Sequence, residues 1–541
     1  MIGQSSRLQK VALAIVGTIA FLAVVECSIR AAYWVRNSQV TRVPLPYVIG
    51  QDYGPVPPWL ESLLILAPDK NLIWRNRPSL RRDYVDIFRP ARTEQERLSL
   101  FRRFSPRLPS ELERIPGWSI ELNSKGYRDS VPPAQKDPSS FRIVCLGDSW
   151  TFGMNVNQDR TYPRRLAALL AGRHPTAHFE VWNRGVLGYS SYQGLQLLRS
   201  NGQRWKPDAV VIAFAMNDSK IAGYRDKDAA ANQQNPLLSA RVNRILEWNA
   251  TFKLLRYLAL ILRYQPKPNG NYLKVEPDSS NDVAGFEKLE PWTRVSLKDY
   301  KDNITQIVAL SRACGAQPIL LYNELWENGF YLGVLQQVAQ KEQIPLVDGN
   351  ALILKERKRI EDDLEARLHL RRQNGSAPDG KAEVVFRLLA PHASVDGPLY
   401  IAGADPQLGA GVPNKTALRD DGIHGDQQAG DGVWSYSAVL PVNTTISYVY
   451  TAGGRAGVWE GLDIPHIREY TIPASASGKL VYKPIEAFGR LEMQADSWHT
   501  NAAGYELIAK AVLDGLSGTE KMQAYLASAM QPEQNSRWRR P

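Results

Sequence analysis

Residues 141–153, FRIVCLGDSWTFG, place a short apolar run directly before a glycine, an acid and a hydroxyl. The apolar run at 143–146 indicates a buried strand. Gly147, Asp148 and Ser149 then favour a tight turn. Such a turn has two interpretations: a loop in which Asp148 or Ser149 caps the next helix, or a strand-to-helix turn that presents Ser149 as a nucleophile. The stretch alone favours the capped loop, and the choice depends on the rest of the chain.

From this point onward, apolar strand-like segments alternate with stretches in which apolar residues recur every three or four positions, as at 162–170 and 195–199. The predicted strands lie at 142–146, 178–182, 209–214, 318–322 and 344–347. This alternation is typical of βαβ units and predicts an α/β fold with a doubly wound parallel sheet. Ligands of such sheets bind at the carboxyl ends of the strands, where Ser149 lies.

The pattern changes between residues 376 and 483, where short alternating strands are separated by Gly, Asp and Pro turns. This predicts an antiparallel β-sandwich, and because helical spacing returns at 501–516, the sandwich is predicted to be inserted into the α/β domain. The predicted organisation is an N-terminal signal anchor at 1–36, a Pro- and Arg-rich lead-in at 37–135, the α/β domain in two parts at 136–375 and 484–530, the inserted sandwich at 376–483, and a disordered basic tail at 531–541.

The N-terminus carries an uncharged, mainly apolar run from Val11 to Val25, preceded by basic residues, and apolar residues resume up to Val35. The first run is short for a membrane span of about 20 residues and also suits the core of a signal peptide. No small-x-small cleavage site follows, and Tyr33 and Trp34 suit a membrane interface. An uncleaved anchor with the bulk of the protein exported is therefore favoured over a cleaved signal peptide.

The composition is ordinary for globular protein, with 44% hydrophobic and 22% charged residues in 541. The net charge of +11 would suit nucleic-acid binding, but no nucleic-acid motif accompanies it. A juxtamembrane or solvated positive charge is favoured, and no nucleic-acid partner is predicted. The three cysteines, Cys27, Cys145 and Cys314, indicate no disulfide framework.

Near the C-terminus, the stretch ADSWHTNAAGY at 495–505 places Asp496 three residues before His499. This spacing lets a carboxylate hydrogen-bond an imidazole and hold its tautomer, although an isolated pair of this kind is usually a surface feature. Gly188 follows the second predicted strand and Asn217 the third. Together with Ser149, the Asp496–His499 pair and these two residues meet the requirements of acyl transfer: a nucleophile, a base, an orienting acid and oxyanion donors.

Four blocks, taken in order, resemble those of the SGNH (GDSL-type) hydrolase family: GDSWTFG at 147–153, NRGVLGYSS at 183–191, AMND at 215–218 and DSWH at 496–499. The resemblance covers roughly residues 121–350 and 484–516, and the lead-in stretch NSKGYRD is similar to that of membrane-anchored members. It departs at Ala215, where the third block usually has glycine. The family implies a flavodoxin-like, three-layer fold.

The resemblance also implies a role for each site residue. Ser149 attacks an ester carbonyl, and His499, oriented by Asp496, accepts its proton and later passes it to the leaving alcohol. The backbone N–H groups of Ser149 and Gly188, with the Asn217 amide, receive the oxyanion. No cofactor is required by this chemistry.

The order of glycines, prolines and aromatic residues in the predicted sandwich is similar to that of starch-binding carbohydrate modules, in which exposed tryptophans stack on sugar rings. Trp434 and Trp459 are the candidates, with a place in the sandwich core as the alternative for both. One turn region is dense enough in acids for a Ca²⁺ loop, with Asp420, Asp421, Asp426 and Asp431. These acids lack the regular spacing of an EF-hand, so a turn cluster is favoured and no metal is predicted.

The favoured function is a membrane-anchored ester hydrolase, exposed on the periplasmic or extracellular side, that removes acyl groups from a cell-surface carbohydrate or another envelope ester. The same residues would serve an O-acyltransferase if an alcohol resolves the acyl-enzyme. The anchor and a helix-like run at 239–264 motivate a lipid esterase as a further alternative. An inactive carbohydrate-binding scaffold is disfavoured because Ser149, Asn217, Asp496 and His499 are all present.

Overall fold

The structure is a computed structural model of the chain. It describes residues 2–38, 66–69, 71–84, 118–131, 133, 135–220, 225–234, 249–252, 254–255, 293–324, 330–370, 373–390, 398–412, 414–423, 425–451, 468–488, 493 and 499–530. The predicted tail at 531–541 and most of the helix-like run at 239–264 lie outside these residues.

The strands are β1 Leu66–Asp69, β2 Ile73–Asn76, β3 Arg81–Tyr84, β4 Trp118–Glu121, β5 Ser140–Gly147, β6 His178–Gly185, β7 Ala209–Ala213, β8 Gln317–Tyr322, β9 Leu346–Asp348, β10 Lys381–Leu389, β11 Tyr400–Gly403, β12 Thr416–Ala417, β13 Val433–Pro441, β14 Thr444–Thr451, β15 Arg468–Ile472, β16 Leu480–Tyr482 and β17 Glu486–Ala487. The helices with defined bounds are α1 Ile2–Ser38, α2 Ser149–Phe152, α3 Tyr162–Arg173, α4 Ser191–Trp205, α5 Asp226–Gln234, α6 Leu297–Ala313, α7 Phe330–Glu342, α8 Gly349–Arg367, α9 Ala502–Ser517 and α10 Glu520–Met530.

Five of these strands form a parallel sheet in the order β6-β5-β7-β8-β9. The first strand of this set, β5, lies between β6 and β7, so the chain crosses to one side of β5 and then to the other. Such a reversal opens a crevice at the carboxyl ends of the strands, where doubly wound folds bind their ligands. The prediction of a doubly wound parallel sheet is confirmed, and each predicted strand overlaps an observed one.

Helices cover both faces of this sheet because β5 is apolar on both sides. Val144 and Leu146 belong to a core formed with α4, α6 and α7, whereas Ile143 and Cys145 belong to a second core formed with α3, α8, α9 and α10. Successive side chains of a strand point to opposite faces, so an uninterrupted apolar run is what a strand covered on both sides requires. The result is the three-layer α/β architecture.

The described parts of the lead-in pack on the α/β domain. Strands β1 and β2 form an antiparallel hairpin, and β3 pairs with β4. Trp118, Ile120 and Leu122 share a small core with Phe152 and Met154, which follow the GDS turn. This region therefore extends the α/β domain and contacts its functional edge.

Two further sheets lie between β9 and α9 in the chain. One contains β10 paired with β13, β16 and β17, and the other has the order β12-β11-β14-β15. Their inner faces share one core, in which Phe386 and Leu388 of β10 meet Ile401 and Tyr448 of the second sheet. Strands β16 and β17 run parallel to β10, so the first sheet is mixed. Because β17 pairs with β10, this sheet extends beyond residue 483, the predicted end of the inserted domain. The bounds of that domain stay a prediction.

Within α1, residues Gln9–Ala32 are long and apolar enough to cross a membrane, judged by length and composition. A signal sequence passes the same test, so this is weak evidence for membrane association. Glu26 of this helix accepts hydrogen bonds from the backbone N–H groups of Ala250 and Thr251, at 2.7 and 3.0 Å. The helix is thereby linked to the region between β7 and α6.

Candidate active site

The turn after β5 places Ser149 at the start of the short helix α2, where its side chain is nearly buried. Asp148 caps this helix by accepting the Trp150 N–H at 2.9 Å. Gly147 is needed because a Cβ there would lie 2.0 Å from the Thr151 hydroxyl oxygen and 2.8 Å from the Ala213 carbonyl oxygen. The capped-loop interpretation is thus confirmed for Asp148, which leaves the side chain of Ser149 available for another contact.

That contact is with His499. Its Nε2 lies 2.8 Å from Ser149 Oγ, and both residues are buried although 350 positions separate them in the chain. His499 precedes α9, which Asn501 caps by accepting the Gly504 N–H at 3.1 Å. A neutral imidazole that accepts from Ser149 at Nε2 must carry its proton on Nδ1. Asp496, the predicted partner of that nitrogen, lies outside the described residues.

Asn217 follows β7, in a turn where Asp218 and Ser219 donate their backbone N–H groups to the Ala215 carbonyl. Its Nδ2 donates to Asp148 Oδ2 at 3.1 Å, and this carboxylate also accepts from Asn323 Nδ2 at 2.9 Å. An amide NH₂ group has two hydrogens, and the bond from Asn217 to Asp148 uses one of them. Sequence reasoning missed Asn323, whose only signal is an amide at the carboxyl end of β8.

Gly188 lies in the loop after β6, beside the nucleophile turn. The Val186 N–H donates to the Gly147 carbonyl at 3.1 Å, which joins the two loops. Gly188 has a φ of +74°, in the left-handed region that favours glycine. The structure therefore brings Ser149 and His499 together and places the loops of Gly188 and Asn217 against the same turn.

The Asp148 carboxyl is fully buried, and burial raises its pKa from 3.8 to about 6. The Trp150 N–H, the charge of His499 and the amides of Asn323 and Asn217 act in the opposite direction, because each favours the carboxylate. Asp148 thus shares one hydrogen-bonded network with the Asn217 amide and the turn that carries Ser149.

Arg128, in the lead-in stretch NSKGYRD, supports the turn from the other side. It is fully buried and donates to the carbonyls of Phe152 and Gly153 at the end of α2, and to the Ser119 carbonyl at 2.6 Å. Burial lowers the pKa of this guanidinium to about 9. The lead-in motif therefore has a structural purpose that the sequence did not reveal: its arginine satisfies the carbonyls that end the nucleophile helix.

Of the two candidate sugar-binding tryptophans, the structure describes Trp434 only. Trp434 is half-buried on β13, packs against the core of the two outer sheets, and donates its indole N–H to the Ala390 carbonyl at 2.9 Å. Trp459 lies outside the described residues. The packing of Trp434 shows that part of its ring belongs to the core of these sheets, as the alternative interpretation predicts. Sugar binding by Trp434 stays a prediction.

Among the described residues, Asp420, Asp426 and Asp431 form a group that could hold a cation, because their carboxylate oxygens lie within 4.8 Å of one another. Asp421 is not part of this group. Asp420 accepts the backbone N–H groups of Gly430 and Gly432, at 2.6 and 3.0 Å. These bonds are typical of a turn cluster, which is the interpretation favoured from the sequence.

Comparison with known proteins adds one family match, which includes Ser149, Gly188 and Asn217 and ends before His499. Residues 145–373, less than half of the chain, match the family described as GDSL-like Lipase/Acylhydrolase. No curated protein matches the chain.

Similar solved structures include a catalytic mutant of Axe2, an acetylxylan esterase from Geobacillus stearothermophilus, which is 16% identical, with 40% of this chain and 80% of that chain covered and a TM-score of 0.22. The esterase EstA from Pseudoalteromonas sp. is 14% identical, with 38% and 75% covered and a TM-score of 0.21. A putative GDSL-like lipase from Parabacteroides merdae is 12% identical, with 42% and 85% covered and a TM-score of 0.24.

The doubly wound sheet with a Gly-Asp-Ser turn at the end of β5 defines the α/β domain as an SGNH hydrolase fold. The GDSL-like family match over residues 145–373 supports the assignment of this domain as an SGNH (GDSL-type) esterase.

Proposed function

We propose that the protein is an exported, membrane-anchored serine ester hydrolase that removes acyl groups, in the first place acetyl, from a cell-surface carbohydrate or another envelope ester. The observation that carries the proposal is the 2.8 Å contact between Ser149 Oγ and His499 Nε2. A contact of this length lets the imidazole take the hydroxyl proton as the oxygen attacks a carbonyl carbon.

In the acylation step, Ser149 Oγ forms a bond to the ester carbonyl carbon while its proton passes to His499 Nε2. The carbonyl oxygen becomes an oxyanion, which accepts hydrogen bonds from the Ser149 and Gly188 N–H groups and from Asn217 Nδ2. The carbon–oxygen bond to the alcohol then breaks, and His499 gives its proton to the departing oxygen. Asp496 holds the Nδ1–H of His499 through these transfers.

In the deacylation step, a water molecule attacks the acyl-enzyme while His499 Nε2 takes its proton. The bond to Ser149 Oγ breaks, and the serine recovers a proton from the imidazole. Fixed donors act on the charge that develops only in the transition state, so the loss of one typically lowers kcat about 10²–10³-fold. Water as the acceptor gives hydrolysis, and an alcohol in its place would give acyl transfer.

The substrate and location rest on features outside the α/β domain. The resemblance of the sequence at 376–483 to starch-binding carbohydrate modules supports a polymeric carbohydrate ester. The apolar stretch Gln9–Ala32 supports anchoring, with the catalytic domain on the periplasmic or extracellular side. Fractionation of the full chain with a C-terminal tag tests the anchor: recovery in the membrane at full length is expected, and release as a shortened soluble form would contradict it.

Replacement of Ser149 tests the reaction. We expect Ser149→Ala to abolish hydrolysis of p-nitrophenyl acetate and labelling by a fluorophosphonate. Ser311→Ala is the matched control, because it removes another buried hydroxyl, one that donates to the Ile307 carbonyl within helix α6. Activity that persists in Ser149→Ala, or is lost equally in Ser311→Ala, would refute the proposed role of Ser149.

A further inference from the structure

The β1–β2 hairpin of the lead-in packs on the loop that carries Gly188. Trp74 Nε1 donates to the Leu187 carbonyl at 2.9 Å, and the Tyr189 hydroxyl donates back to the Trp74 carbonyl at 2.9 Å. Asn76 Nδ2 donates to the Gly185 carbonyl at 3.2 Å. This hairpin lies upstream of residues 145–373, so the family match does not include it.

The bond from Trp74 acts on a particular peptide unit. The Leu187 carbonyl and the Gly188 N–H belong to the same planar group, and in a trans peptide they point in opposite directions. A donor fixed on the carbonyl therefore fixes the direction of the N–H. It also polarises the amide, which makes that N–H a stronger donor.

A second side chain holds the next peptide unit. Arg294 Nη1 donates to the Gly188 carbonyl at 2.7 Å, and Arg294 forms an ion pair of 2.8 Å with Asp226, both side chains being fully buried. The Arg294 guanidinium also lies 5.2 Å from the centre of the Trp74 ring. Both peptide units that meet at Gly188 are thus held by side chains that lie outside the loop.

The ring of Trp74 also restricts the space around Gly188. A Cβ at Gly188 would lie 3.3 Å from Trp74 Cζ2, and the ring makes a tilted contact with Tyr189 at 6.3 Å between centroids. Glycine adopts positive and negative φ about equally readily, so this packing and the two carbonyl bonds select the positive-φ conformation observed at Gly188.

We propose that Trp74 is a positioning residue of the oxyanion site, acting through the Leu187–Gly188 peptide. The inference rests on the proposed function, in which the Gly188 N–H is an oxyanion donor. Since the oxyanion exists only in the transition state, loss of the indole N–H lowers kcat and leaves KM near its original value. We expect a decrease of about 10-fold, below the 10²–10³-fold typical of deleting a donor outright, because the Gly188 N–H is misdirected and not removed.

The test compares full-length Trp74→Phe with full-length Trp205→Phe. Trp205 belongs to the same hydrophobic core that Trp74 packs against, but it ends helix α4, about 20 Å along the helix axis from the Gly188 loop. Both variants make the same truncation in one core, so a general loss of packing affects both. A second Trp74 variant with 3-benzothienylalanine replaces the N–H by sulfur and keeps the bicyclic ring, which separates the hydrogen bond from packing.

The readouts are kcat and KM for p-nitrophenyl acetate. The expected result is a decrease in kcat in both Trp74 variants, at unchanged KM, with Trp205→Phe within twofold of the original protein. Full kcat in the benzothienyl variant, or an equal decrease in Trp205→Phe, would overturn the positioning role and leave the proposed function standing. Absence of Ser149-dependent turnover in the unaltered protein would overturn the proposed function, and the inference with it.

Discussion

Replacing Asp148 by asparagine removes a carboxyl group that the fold buries completely. Burial raises its pKa from 3.8 to about 6, despite the opposing influence of the Trp150 N–H, the His499 charge and two amides. Between these two pH values, the folded protein keeps a proton that the unfolded chain has released. The free energy of unfolding therefore decreases as the pH rises through this window.

The magnitude follows from the size of the shift. Each pKa unit corresponds to about 1.4 kcal/mol, so a rise from 3.8 to about 6 amounts to about 3 kcal/mol. This contribution is fully present below pH 4 and is lost above pH 6. Asp148→Asn has no such titration. We therefore expect the free energy of unfolding of the original protein, minus that of the variant, to decrease by about 3 kcal/mol between pH 4 and pH 7.

Other buried acids titrate in both proteins and cancel in this difference. Asp218 is one of them, since burial raises its pKa to about 8. The measurement is urea-induced unfolding of the full chain at a series of pH values, followed by brief proteolysis and detection of cleavage within residues 140–220. Ser149→Ala is the control and should keep the pH dependence of the original protein. A difference between the original protein and Asp148→Asn that stays constant with pH would refute the reasoning.

Two further predictions concern the neighbours of this turn. Asn217→Ala should lower kcat for p-nitrophenyl acetate about 10²–10³-fold at unchanged KM, because it removes the proposed oxyanion donor. The control is Asn201→Ala, which removes an amide bonded to the Leu197 carbonyl on helix α4 and should keep full activity. Equal kcat values for the two variants would contradict the proposed role of Asn217. Arg128→Met should destabilise the α/β domain by about 3 kcal/mol or more in urea unfolding, because it leaves the carbonyls that end α2 without their donor. The control is Arg81→Met, which removes an exposed partner of Glu121 and should have little effect on the free energy of unfolding. Similar destabilisation by both substitutions would contradict the role of burial.

Much of the fold was predictable from short stretches of sequence. The apolar run at 143–146 has to be covered on both sides, and its alternation with helical segments leads to a doubly wound sheet. The turn glycine, the acid and the hydroxyl follow from local chemistry, since only glycine fits at Gly147 and Asp148 caps α2. Because the carboxyl ends of parallel strands share one edge, the order of Ser149, Gly188, Asn217 and His499 already predicted a common site.

What the sequence did not reveal lies in contacts between irregular segments. The arrangement of Asn323 and Asn217 on one carboxylate, the carbonyl bonds of Arg128, and the approach of Trp74 to the Gly188 loop have no periodicity. Each joins residues from parts of the chain that no local pattern relates. The parallel pairing of β16 and β17 with β10 escaped prediction for the same reason, because strand direction depends on the path of the connections.

The sequence by itself thus determined the layer order, the edge of the sheet that carries the site and the residue types present there, because each depends on hydrophobic periodicity and local turn chemistry. Only the tertiary structure decided which other side chains hold these site residues in place. Ser149 approaches His499 to 2.8 Å across 350 residues, and the Leu187–Gly188 peptide is held by a tryptophan from an upstream hairpin. The orientations of these side chains and of this peptide are set by packing and by the need to satisfy buried carbonyls, which act only after the chain has folded.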